Sequence, residues 1–167
     1  MQNTGDNSFV CPHCDNDVNK DDDFCLNCGT IFIDNLYCNN HKDKPAKGVC
    51  VICSVPYCKK YGLRVNDHFL CNNHSDYEIY EGMARVFGTL DDVIAQFAKD
   101  CLEKDGLHPY IFCRDQPQGG PRFVNSLFAA KGDYLGNIVN EIKVMVPFRE
   151  VEDAEKILKS VKLIEQP

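Results

Sequence analysis

Positive charge is what this chain lacks first. Its 167 residues carry 18 Lys and Arg against 25 Asp and Glu, a net charge of -7. Residues 1–79 hold seven basic and eleven acidic side chains, and the remainder eleven and fourteen, so neither half has a basic surplus. Binding nucleic acid needs such a surplus to neutralise phosphates. That function is disfavoured, with Lys59, Lys60 and Arg64 as a local basic patch. Long apolar runs are missing too. No stretch approaches the roughly 18–20 residues that span a bilayer, so no membrane span is expected. The opening residues, MQNTGDNSFV, have no basic start followed by an apolar core, so no secretory signal is expected. The expected compartment is the reducing cytoplasm. There, clustered cysteines hold metal more often than they form disulfides. The cysteine count is eleven, and an odd number also weakens a disulfide scheme.

Nine of the eleven cysteines lie between Cys11 and Cys71, and only Cys101 and Cys113 lie beyond. This shift in composition predicts a boundary near residues 75–82, and with the two cysteine motifs described next it gives three parts: residues 1–34, residues 35–79 and residues 80–167. The first part contains Cys11-x2-Cys14, ten residues, then Cys25-x2-Cys28. Two intervening residues let a tight turn aim both sulfurs at one ion, and two such turns make a tetrahedral four-thiolate site. Gly29, just after Cys28, suits a turn of positive φ. His13 reads as an exposed turn residue, because four thiolates already fill the site. A thioredoxin-like redox role fits less well, since it calls for one CxxC at a strand–helix junction. The stretch FVCPHC…FCLNCG resembles the short zinc ribbons of bacterial N-termini. A segment this short folds on its metal: apparent zinc binding energies in finger peptides run to about 10–16 kcal/mol.

The second part reads C-x2-H-x8-C-x2-C-x4-C-x12-C-x2-H, from Cys38 to His74. Seven good zinc donors are present: Cys38, His41, Cys50, Cys53, Cys58, Cys71 and His74. Two tetrahedral sites need eight. The pattern resembles a B-box zinc finger of prokaryotic type. That resemblance implies crossed pairing, with Cys50, Cys53, Cys71 and His74 on one zinc, and Cys38, His41 and Cys58 on the other. Tyr61 stands where the family has a further cysteine. The eighth position is then supplied by His68, oriented by Asp67, or by Tyr61, or by water, or the site is empty. Sequential pairing, with Cys38, His41, Cys50 and Cys53 together, remains open. The B-box resemblance also implies a role in protein–protein contact.

Beyond residue 80 the pattern alternates strands and helices. A strand is expected near 83–88, then a helix with Leu90, Val93, Ile94, Phe97, Ala98, Cys101 and Leu102 on one apolar face. Thr89 and Asp92 form a candidate capping pair, and Gly106 is placed to end the helix. HPYIFCRD is a second strand, with His108 at its edge. NEIKVMVPF is a third, with Ile142, Val144 and Val146 on one face. Val151, Ala154, Ile157, Leu158 and Val161 mark a final helix, and KLIE is an edge strand or a tail. Cys101 and Cys113 read as small buried hydrophobes rather than ligands. The order β-α-β-loop-β-α, with two helices on one face of an antiparallel sheet, predicts an α+β ferredoxin-like domain. MARVFGTLDDVIAQFAKDCLEKDGLHPYIF and IKVMVPFREVEDAEKILKSV resemble a small prokaryotic signal-transducing family related to nitrogen-regulatory PII proteins. The connection 115–140 is long, and Gly119-Gly120 between Arg114 and Arg122 is a weak anion-binding signal.

These features together predict small zinc-stabilised modules followed by an α+β domain. The expected function is a non-enzymatic zinc-binding adaptor holding two or three zinc ions and engaging a protein partner. The alternative is an effector-binding sensor acting through residues 115–140. A zinc hydrolase needs a general base and a pocket, and only Asp67 and His68 lie near enough in sequence. Storage of zinc or redox sensing at the incomplete site is a further minor reading. Exposed sheet edges leave a homodimer open.

Overall fold

The computed structural model describes residues 8–113 and 141–165. The chain divides into two compact units, Met1–Gly82 and Met83–Pro167.

The first unit is built from short hairpins and turns around cysteines. Strands β1 (Ser8–Val10) and β2 (Asp17–Asn19) pair antiparallel, with Phe9 opposite Val18. Their connection is the Cys11–Cys14 turn. A bridge between Phe24 and Ile31 encloses the Cys25–Cys28 turn in the same way. The small core here is Val18 and the cysteines, with Phe9 set edge-on to Phe32 at 4.9 Å. Three further hairpins follow: β3 (Tyr37–Cys38) with β4 (His41–Pro45), β5 (Gly48–Val49) with β6 (Pro56–Tyr57), and β7 (Gly62–Val65) with β8 (His68–Cys71). The β7–β8 loop is the dipeptide Asn66-Asp67, with φ of 45° and 66°. Two central residues of positive φ match the right-handed twist of a two-residue hairpin, and Asn and Asp tolerate that conformation. The last strand along this part of the chain is β9 (Ile79–Tyr80).

Both cysteine modules share this one unit. The Val49 N–H donates to the Gly29 carbonyl at 2.9 Å, and the Phe69 N–H donates to the Cys28 carbonyl at 3.0 Å. Arg64 fastens the same seam, donating to the carbonyls of Cys28 and Asp67 and to Thr30 Oγ1. The buried Phe69 ring fills the space above Gly48 and Gly62, where any Cβ would fall within 2.3 and 2.5 Å of ring atoms. Arg64 is thus a structural staple here as well as part of the basic patch.

The second unit runs β10 (Met83–Thr89), α1 (Asp92–Lys104), β11 (Tyr110–Cys113), β12 (Ile142–Pro147), a single 3-10 turn at Phe148–Glu150, and α2 (Val151–Ser160). Within it β12 lies between β11 and β10, antiparallel to both. Ile142 through Val146 are all buried, so β12 is central and covered on both faces, not on the one face that alternation suggests. Glu141, only 8% exposed, is held by an ion pair with Arg85. The KLIE segment forms turns and bends, so it is a tail and not an edge strand.

Two details of α1 depart from expectation. Asp91, not Thr89, is the N-cap: its carboxylate accepts from the Val93 and Ile94 amides at 2.8 and 3.2 Å. The buried stripe is Ala95, Ala98 and Leu102, whereas Leu90, Val93, Ile94 and Phe97 are exposed, Val93 by 76%. Small side chains let a helix sit close to its neighbours, and that close approach, not bulk, chose the inner face. Gly106, at φ 82°, ends α1 as its position predicts, with the Leu107 N–H donating back to the Leu102 carbonyl. Among the described residues no helix is long and apolar enough to cross a membrane.

Candidate metal centres

The sequence dictates the local geometry through one repeated turn. In each Cys-x2-Cys unit the residue after the second cysteine donates its N–H to the carbonyl of the first. Asp15 donates to Cys11 at 3.0 Å, Gly29 to Cys25 at 2.8 Å, and Ser54 to Cys50 at 2.8 Å. Asp15, Gly29 and Ser54 all have positive φ, between 56° and 73°. This turn points two sulfurs to the same side, and antiparallel pairing brings a second turn up to face it.

The structure brings the predicted donors into three groups, in each of which the donor atoms lie within 4.8 Å of one another: Cys11, Cys14, Cys25 and Cys28; Cys50, Cys53, Cys71 and His74; and Cys38, His41 and Cys58. The second and third groups interleave along the chain, which is the crossed pairing and not the sequential one. The spacings suit a tetrahedral ion. Zinc–sulfur bonds of about 2.3 Å and zinc–nitrogen bonds of about 2.0 Å imply tetrahedral edges of roughly 3.8 Å between sulfurs and 3.5 Å between sulfur and nitrogen. Cys11 and Cys28 sulfurs are 3.7 Å apart, and Cys14 and Cys25 sulfurs 3.5 Å. His74 Nδ1 lies 3.4 Å from Cys50 Sγ and 3.3 Å from Cys71 Sγ, and His41 Nδ1 lies 3.5 Å from Cys58 Sγ. A disulfide would need about 2.05 Å, and every cysteine is a free thiol.

Electrostatics make the same case. Burial opposes the Cys14 thiolate, yet hydrogen bonds from Asn16 and Asn27 bring its pKa down to about 6. Its neighbour Cys25 is pushed up to about 12 by burial. In the second group, the Cys53 thiol donates to Cys50, pulling Cys50 down and driving its own pKa up. In the first two clusters one thiolate is favoured, at Cys14 and at Cys50, while Cys25 and Cys28, and Cys53 and Cys71, are pushed up. A divalent cation supplies the countercharge that lets all of them ionise together. Asn16, Asn27 and Thr30, whose hydroxyl lies 3.1 Å from Cys28 Sγ, are supporting groups that spacing alone did not reveal. The recurrence of Asn and Thr two residues from a cysteine is the signal that could have found them.

The candidate eighth donors fare differently. His68 is not brought to the three-donor group. Its Nδ1 lies 2.7 Å from the Asn27 carbonyl, at the seam with the first cysteine module. Tyr61 does lie beside that group, its ring centroid 5.2 Å from that of His41. Exposed His13 is outside every cluster, 4.0 Å from Asp67 Oδ1. Cys101 and Cys113 join no cluster among the described residues, and both are half-buried. His108 is exposed, and its Nδ1 lies 2.8 Å from Glu150 Oε1. The Gly119-Gly120 anion signal and its flanking Arg114 and Arg122 lie outside the described residues.

The first unit also carries an open cleft of ≈ 290 Å³, lined in part by Leu36, Pro45 and Ala46 with Lys47 and Arg64, and it contains none of the cluster residues. No protein-family model, curated protein or solved structure matches this chain. The zinc reading therefore stands on the chain's own donor sets.

Proposed function

We propose that the chain is a non-enzymatic zinc-binding adaptor, in which structural zinc rigidifies the first unit and exposed loops on that unit engage a protein partner. The observation that carries this reading is the closure of two centres: Cys11, Cys14, Cys25 and Cys28, and Cys50, Cys53, Cys71 and His74, each supply four donors. A four-donor zinc has no position for substrate and serves to hold the fold. The crossed pairing supports the B-box likeness of residues 35–79, and a cross-braced finger presents loops on a fixed base. The general bases that a hydrolase would use are poorly placed. His68 is engaged with a carbonyl, and the Asp67 side chain is 87% exposed on a hairpin turn. In the second unit, the strand order β11-β12-β10 with a helix after β10 and after β12 supports a ferredoxin-like reading.

The test is comparative affinity capture with wild type and a Lys59→Glu/Lys60→Glu variant, which alters an exposed loop and leaves every donor in place. A protein that wild type retains, that the variant loses, and that re-forms a defined complex from purified components supports the adaptor. Turnover of a small substrate by the zinc-loaded chain, with no such partner, contradicts it.

A further inference from the structure

The centre formed by Cys38, His41 and Cys58 differs from the other two in having three donors. We propose that zinc in this centre keeps a fourth coordination position that takes an exogenous thiolate. The inference deepens the zinc reading above and rests on it.

The argument begins with the backbone. The Gly62 N–H donates to the Cys58 carbonyl at 3.1 Å, the same bond that closes each Cys-x2-Cys turn. Residue 61 therefore occupies a ligand position, but its side chain is a phenol. A tyrosine oxygen stands a whole ring beyond the place of a cysteine sulfur. The Tyr61 ring lies against the imidazole of His41, tilted by 52°, with Lys60 Nζ 5.5 Å from its centroid. The ring thus lies beside the centre, against one of its three donors. The nine cysteines of the first unit are all assigned, four, three and two to the three centres. His68 is bonded at the seam. Among the described residues of this unit, no further Cys, His, Asp or Glu joins the three donors.

Charge selects the ligand. Zinc with two thiolates and one neutral imidazole has no net charge, and a third thiolate makes it negative. The surrounding segment suits that anion. Residues 35–79 carry Lys42, Lys44, Lys47, Lys59, Lys60 and Arg64 against Asp43, Asp67, Asp76 and Glu78, in a chain that is acidic overall. All five lysines are exposed. Sulfur is also among the strongest protein-type donors for zinc. Binding would release the thiol proton to solvent and leave the sulfur at the same oxidation level, so no oxidant would be needed.

The experiment loads the full, reduced chain with cobalt(II), which reports coordination through its visible bands and sulfur-to-cobalt charge transfer. Reduced glutathione is titrated in one arm and a cysteine-containing acidic peptide in the other. The expected result is a third cobalt ion whose charge-transfer band grows on addition of thiol and saturates at one thiol per chain. Saturation by glutathione identifies a small thiol, and saturation by the peptide alone identifies a protein cysteine. Tyr61→Cys should show the full band without added thiol and give no response, while Tyr61→Phe should respond as wild type does. Lys59→Glu/Lys60→Glu should weaken thiol binding about tenfold, the effect of reversing two nearby charges. Loss of the third cobalt in Tyr61→Phe would make the phenolate the ligand and overturn the proposal. Two cobalt ions without a third, or a third that ignores thiol, would overturn it and leave the structural centres standing. Fewer than two would overturn the zinc reading as well.

Discussion

Gly29→Ala probes the seam between the two cysteine modules. Gly29 has φ +73°, and an L-residue there costs about 1–2 kcal/mol for its backbone alone. The new methyl would also lie 2.0 Å from the Val49 carbonyl oxygen and 2.9 Å from Phe69 Cβ. A backbone carbonyl cannot rotate away as a side-chain tip can. The two modules must separate, and the bonds from Val49 to Gly29 and from Phe69 to Cys28 must lengthen. Each such bond contributes about 1 kcal/mol net, so the expected loss is about 3–4 kcal/mol in all. Gly82→Ala is the internal benchmark. Its φ is +80°, but the nearest atom to an added Cβ is Asn27 Oδ1 at 3.7 Å, so only the backbone cost of about 1–2 kcal/mol should appear. The chain has no tryptophan, so the assay is amide hydrogen exchange of the zinc-loaded protein, read at Val49 and Phe69. Equal protection in the two variants would refute the claim that the modules are locked through Gly29.

Chelation should unfold the first unit while the helical circular dichroism of α1 and α2 persists, because the second unit has its own apolar core and no predicted donor in a cluster. Concerted loss of both signals would contradict this. Lowering pH should release zinc, since protons compete for thiolates and imidazole and binding weakens as pH falls. A chromogenic chelator would follow the release, and a pH-independent affinity would argue against thiolate ligation. Asp91→Ala should cost the second unit about 1 kcal/mol by removing the α1 cap. Thermal unfolding would check it, with Thr89→Ala as the weaker comparison because Thr89 Oγ1 only accepts from the Asp91 amide.

Much of the candidate site was legible because metal ligation is written locally. A Cys-x2-Cys pair constrains its own turn, so the donors could be named before any fold was known. The interleaving of the second and third groups was carried only by the family likeness, because it depends on how three hairpins stack. The placing of His68, one of the candidates for the eighth position, has the same origin. Nearness in sequence to Cys71 suggested a ligand, but the Asn66-Asp67 turn sets the register of β7 and β8, and the imidazole meets Asn27 instead. In the second unit the strands and helices followed from periodicity. The inner face of α1 did not, because hydrophobic pattern ranks Val93 and Phe97 above Ala95 and Ala98, whereas the helix buries Ala95 and Ala98 together with Leu102. Likewise the burial of Lys143 and Met145 as well as Ile142, Val144 and Val146 is not encoded in the alternation of a single strand.

The central claim is that nine cysteines and two histidines form three zinc centres, two closed and one with three protein donors. Native mass spectrometry of the reduced chain at saturating zinc tests it most directly, on wild type and Cys38→Ser. The account predicts three zinc ions in wild type and two in the variant, with the two remaining ions the last to yield to chelator. Fewer than three zinc ions in wild type, or an unchanged count in Cys38→Ser, would contradict it.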